Sequence, residues 1–135
     1  MKDNIKEWCF ASSSTSQDTD PWNKESDIFI DTKNIGEFAF RGNKFRHLTL
    51  GPRTQVIGDC AFCWCIELNQ LTVKGNNLIY ILDGSFDSTN LSEVTLPSSI
   101  CYIDENAFDV GVIVKVPQSA GINWDANYRF TIKAI

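Results

Sequence analysis

Four times in this chain an isoleucine is followed five positions later by a phenylalanine, at almost constant intervals. The pairs are Ile35–Phe40, Ile57–Phe62, Ile81–Phe86 and Ile103–Phe108, so successive isoleucines lie 22, 24 and 22 residues apart. After each pair comes a short run alternating apolar and polar residues: Leu48-Thr49-Leu50, Leu71-Thr72-Val73, Val94-Thr95-Leu96 and Val114-Lys115-Val116. A unit of this length cannot bury its apolar side alone. Such units must stack on one another as the coils of a solenoid.

The alternating runs have the period of half-buried strands, with Leu and Val inward and Thr or Lys outward. Because the same strand returns once per coil, neighbouring strands must be parallel, and parallel crossovers are right-handed. The Ile-x-x-x-Ala-Phe segments form the opposite wall. They are too short for an ordinary helix, which predicts extended chain with a short turn or 3₁₀ piece. Gly51-Pro52, Lys74 to Asn77 and Pro97-Ser98-Ser99 supply turn chemistry where each strand ends. The expected architecture is a right-handed superhelical solenoid with a parallel β-sheet on its concave face. Short extended or 3₁₀ segments line the convex face, and there is little regular helix. Ile57, Phe62, Leu68, Leu71 and Val73 are expected core residues.

A single domain accounts for residues 1–135. Residues 35–117 hold the four repeats, and residues 1–34 form a divergent first one. Ile5 to Phe10 has the same spacing, and Ile28-Phe29-Ile30 supplies its strand. Phe10 to Ile30 is 20 positions, however, against 10 from Phe40 to Leu50. The excess fits an inserted polar loop at about residues 12–25, with Trp22 folding back over the open end of the core. After Val116-Pro117 the period stops. Residues 118–135 bring Trp124, Tyr128 and Phe130 together, suited to capping the last coil, and Thr131 to Ile135 can add a short strand.

Leu91-Ser92-Glu93-Val94-Thr95-Leu96-Pro97 with Ile103 to Phe108, and Ile57 to Phe62 with Cys65 and Leu68, resemble the BspA-like class of leucine-rich repeat. The resemblance covers about residues 35–117. Leu82 and Asp104 depart from it where glycine is usual, as do the N-terminal insertion and the shortened last repeat. It implies a leucine-rich-repeat solenoid serving as a protein-binding or adhesive module, often on a cell surface, without catalytic residues.

Charge narrows the choice of partner. Twelve Lys and Arg against 17 Asp and Glu leave a net charge of -5, which argues against nucleic acid and anionic membrane surfaces. No apolar run approaches the roughly 20 residues of a membrane helix, so no membrane insertion is expected. Met1 to Ile5 lacks the layout of a signal peptide, pointing to the cytoplasm or to a fragment of a surface or secreted protein. Five cysteines, an odd number, favour a reducing compartment.

Two constellations invite a chemical reading. Cys60, Cys63 and Cys65 could begin a zinc site if Cys9, Cys101, His47 or a carboxylate gave a fourth ligand. Yet Cys65 occupies a bend position held by Asn43, Thr89 and Gly111 in the other copies, and alternation points Cys63 and Cys65 one way with Cys60 elsewhere. The structural role is favoured, with no metal and no cofactor expected. His47, the lone histidine, stands at an outward strand position with no nucleophile elbow or phosphate loop in the sequence. No catalytic residue is therefore assigned, and a small metal- or thiol-dependent enzyme is the remote alternative. Asn90-Leu91-Ser92 is a glycosylation sequon, read as a chance occurrence.

The outward sheet positions are the candidate binding residues. Stacking should align them in columns about 4.8 Å apart. One column holds Phe29, Thr49, Thr72, Thr95 and Lys115; the one before it holds His47, Gln70 and Glu93 after Asp27; Lys74 lies in the one after. The partner expected is another protein, bound in the manner of an adhesin or surface protein. The alternative is a stand-alone cytoplasmic inhibitor or immunity-type protein. Uncapped strand edges also allow homo-association.

Overall fold

The computed structural model describes residues 26–135. The divergent Ile5–Phe10 copy, the inserted loop and Trp22 lie outside the described residues. Two kinds of strand alternate along the chain. The longer ones are β1 (Asp27–Ile30), β3 (His47–Leu50), β5 (Gln70–Val73), β7 (Glu93–Thr95), β9 (Ile113–Val116) and β10 (Thr131–Ala134). Between them lie two-residue strands, β2 (Asn34–Ile35), β4 (Val56–Ile57), β6 (Tyr80–Ile81) and β8 (Tyr102–Ile103). All the pairings are parallel, as one strand per coil requires. The chain is thus a parallel β-solenoid.

The wall opposite the long strands is extended chain followed by turns, as expected, and its short strands β2, β4, β6 and β8 pair into a continuous four-stranded ladder. Ile35, Ile57, Ile81 and Ile103 are in register along it, all buried. Separate turn bonds follow each strand, for example Ala39 N–H to Gly36 O at 3.1 Å and Ala61 N–H to Gly58 O at 3.1 Å. Phe38, Cys60 and Gly84 occupy equivalent left-handed positions, at φ 60, 52 and 67°. A left-handed residue at the same place in three of the four coils sharpens the corner from strand to phenylalanine, and two of the three tolerate it without being glycine.

Inside, the phenylalanines form a ring stack. Phe40, Phe62, Phe86 and Phe108 lie 5.3, 5.2 and 5.1 Å apart with planes within 7°. Phe45 meets Phe40 and Phe62 edge-on, and Phe130 meets Phe108 in the same way at 5.2 Å. Offset stacks and edge contacts at these separations are the favourable aromatic geometries. Phe130 thereby covers the last ring, while β10 pairs with β9 as the expected final strand. Arg129 pins that segment. Its Nε donates to Phe108 O at 2.7 Å, and its Nη2 pairs with Asp87 Oδ1 at 2.7 Å.

The long-strand sheet is not continuous. β1-β3-β5 form one sheet and β7-β9-β10 another, with no ladder between β5 and β7. The residues that follow the strands differ along the stack. Gly51 N–H donates to Ile30 O at 2.7 Å and Lys74 N–H to Leu50 O at 2.9 Å, each closing the end of a strand pair. The equivalent residue after β7 is Pro97, which has no N–H to give, but Pro117 after β9 lacks one too and β9 keeps its ladder with β7, so proline alone does not part the sheets. Val73, expected in the core, is only partly buried beside this break, whereas its counterparts Leu50, Leu96 and Val116 are sealed. Ile57, Phe62, Leu68 and Leu71 are buried.

Candidate functional site

Alternation along the long strands sends every second side chain outward, and the register sorts these into columns. Asp27, His47 and Gln70 are adjacent, as are Phe29, Thr49 and Thr72. Across the break, Glu93, Ile113 and Thr131 form one row and Thr95, Lys115 and Lys133 the other. Phe29, Gln70, Glu93 and Thr95 are exposed; His47, Thr49, Thr72 and Lys115 are half-buried. Lys74 is exposed just past the end of β5. Each residue named from the sequence therefore lies on or beside this face, but in two blocks rather than one row.

Between the blocks runs a cleft of about 300 Å³ lined by Leu71, Thr72, Val73, Glu93, Val94 and Thr95. Sequence reasoning missed three members of the face: Ile113, Thr131 and Lys133. Ile113 was legible, since Val114 and Val116 point inward and fix it as outward. β10 was harder, because Thr131-Ile132-Lys133-Ala134 lacks a clean apolar alternation and is mostly exposed.

Charges on the face are largely paired within it. His47 Nδ1 lies 2.5 Å from Asp27 Oδ1, and Lys115 Nζ lies 2.8 Å from Glu93 Oε2. Phe29, 51% exposed, offers an aromatic surface at one end, and Ile113 an aliphatic one in the other block. Threonine hydroxyls, the Gln70 amide and Lys133 complete a surface able to give and accept hydrogen bonds. Aromatic residues among polar ones are the composition of protein interfaces.

The cysteine string is divided differently from the sequence expectation. Cys60 and Cys63, expected on different sides, sit at the two ends of one turn, closed by Cys63 N–H to Cys60 O at 3.3 Å. Their four-residue turn brings them together, overriding strand-like alternation. Cys65 is sealed and donates to Phe40 O at 3.2 Å, the carbonyl that Asn43 Nδ2 also reaches at 3.1 Å one coil earlier. Burial pushes the Cys65 thiol up to about 12, and burial with the Cys60 contact does the same to Cys63. Neither has the lowered value of a reactive thiolate. Among the described residues, no three His, Cys, Asp or Glu side chains gather as a metal site would need. Nor is any described helix long and apolar enough to cross a membrane.

Comparison with known proteins agrees with this geometry. A leucine rich cell surface protein from Faecalibacterium prausnitzii superimposes with a TM-score of 0.64 at 16% identity, over 81% of this chain and 32% of that one. The T. pallidum leucine rich repeat protein gives 0.66 at 21% identity, over 73% of this chain and 51% of that one. A leucine-rich repeat protein from Bacteroides capillosus gives 0.52 at 25% identity, over 68% and 75%. The chain thus spans about a third and a half of the first two. No curated protein matches at the sequence level. The family model of the BspA type leucine rich repeat region, described as 6 copies, matches residues 33–121. With its coils, ring stack and parallel sheets laid out as above, the chain belongs to the BspA-type leucine-rich repeat family.

Proposed function

We propose that this solenoid is a non-catalytic recognition module that binds another protein through the outward face of its long strands. Leucine-rich repeats commonly serve protein–protein interaction, and the columns led by Phe29, His47 and Gln70 present side chains in a fixed array. That array is the observation carrying the reading. The face is small. Six strands spaced about 4.8 Å apart and about 13 Å long offer roughly 400 Å², half of the about 800 Å² per partner in a standard interface. One copy therefore binds weakly, or engages its partner together with rim residues such as Lys74. Modest contacts become strong when repeated along a longer array or surface. A surface or adhesive setting suits that economy, and the F. prausnitzii neighbour is itself a cell surface protein.

A pull-down comparing the native chain with the triple variant His47→Ala, Gln70→Ala, Glu93→Ala tests the reading. Partner recovery should fall at least several-fold while the melting temperature holds. Equal recovery by the two proteins discards this face.

A further inference from the structure

We propose that Cys60 and Cys63 are a thiol–disulfide exchange site, closing reversibly into an intrachain disulfide. The spacing Cys60-Ala61-Phe62-Cys63 is set on a turn in which Cys63 N–H donates to Cys60 O at 3.3 Å. A turn of four residues holds its end Cα atoms within about 7 Å. Disulfides span Cα separations of about 4.4–6.8 Å, so the backbone can accept the bond with little movement. Cys60 is near enough to help hold the Cys63 thiol in its protonated form.

The solenoid itself does not ask for these cysteines. At the Cys60 position the other coils carry Phe38, Gly84 and Asn106, and at the Cys63 position Arg41, Asp87 and Asp109. The coils stack equally well on either side, so the pair is a local addition to the repeat. Room for the sulfur is also local. A Cβ on Gly84, in the next coil, would come within 3.0 Å of Cys60 Sγ.

Access is graded in the order that exchange needs. Cys60 is half-buried, while Cys63 behind it is 2% exposed. Cys65 is sealed and occupied with Phe40 O, and Cys101 is exposed in another coil. In the first step the Cys60 thiolate attacks one sulfur of a small-molecule disulfide. A bond forms between Cys60 and that sulfur, and the other half departs as a thiolate. In the second step Cys63 loses its proton and attacks the Cys60 sulfur, displacing the remaining half. Two protein thiols are oxidised, one disulfide is reduced to two thiols, and the two protons end on those thiols. Because burial holds Cys63 protonated, closure is the slow step. Its rate should climb about tenfold per pH unit from neutrality, following the thiolate fraction. The ring then fixes the turn that leads directly into Trp64, 55% exposed.

The test uses the full chain, reduced and then equilibrated with oxidised and reduced glutathione, acid-quenched, alkylated and mapped by peptide mass spectrometry. The peptide holding Cys60 and Cys63 should lose two hydrogens, with Cys65 still a thiol. Cys63→Ser should stop at a glutathione adduct on Cys60. Cys60→Ser should yield no ring while keeping the native circular dichroism. If either variant misfolds, the mapping of the native chain decides alone. A glutathione adduct that never closes, a bond from Cys60 to Cys101 or Cys9, or no uptake at all overturns the proposal.

Discussion

Replacing Phe62 with alanine empties the middle of the ring stack. Phe62 is fully buried, stacked on Phe40 at 5.3 Å and on Phe86 at 5.2 Å, with Phe45 edge-on at 6.1 Å. Truncating a buried phenylalanine to alanine costs about 3–5 kcal/mol, depending on how far the surroundings collapse into the space. Here they can collapse little, because the coils on both sides are held in register by the β2-β4-β6-β8 ladder. The loss should therefore fall near the upper end, about 4–5 kcal/mol. Total stability for a domain of this kind is about 5–15 kcal/mol, so the variant should be visibly weakened. Phe62→Leu separates ring geometry from apolar volume. It keeps most of the volume but removes two stacked pairs worth about 0.5–1.5 kcal/mol each, predicting a loss of about 1–3 kcal/mol. Urea unfolding followed by circular dichroism measures both, provided the slope is shared with the native chain. A loss under about 1 kcal/mol for Phe62→Ala, or equal losses for the two variants, refutes the packing account.

Arg129→Ala should cost about 1 kcal/mol, discounted because its side chain is a third exposed, and hydrogen exchange at β10 should quicken before that of β7. Burial, then Asp104 and Asp59, push the Asp83 carboxyl above its ordinary value. Its ionisation is thus harder in the folded state, so stability falls as pH rises through that range and stays lower above it. Asp83→Asn should accordingly raise Tm near about pH 7 and leave it unchanged near about pH 3, where both states are protonated. Iodoacetamide applied to the native, reduced chain should label Cys101 and Cys60, with Cys63 and Cys65 reacting only after denaturation. Early labelling of Cys65 would contradict its sealed position.

The repeat made much of this fold readable. Isoleucine-to-phenylalanine spacing located the two walls, and apolar alternation placed His47, Thr49, Gln70 and Glu93 outward. What escaped the sequence depends on contacts between coils, some 20 residues apart, that leave no local pattern. The two-residue strands around Tyr80 and Tyr102 are too short for any periodicity. Arg129 reads as an ordinary surface cation until Phe108 and Asp87 are brought to it. The break between β5 and β7 was not legible, since proline follows the strand in both the β7 and β9 coils while only the β5–β7 ladder is missing. The placing of Cys60 and Cys63 at the ends of one turn was hidden because a turn, not a strand, sets their direction.

The broken ladder gives the molecule something like the mechanics of a bound book. Along one wall the β2-β4-β6-β8 ladder and the stacked rings form an unbroken spine. On the other wall, the pages part between β5 and β7. Flexing the solenoid at this place stretches side-chain contacts but breaks no strand-to-strand ladder, so it is the softest bend available among the described coils. A partner lying across Thr72 and Thr95 grips both halves of the cover. It can choose the opening angle that suits it, and in doing so it holds the book still.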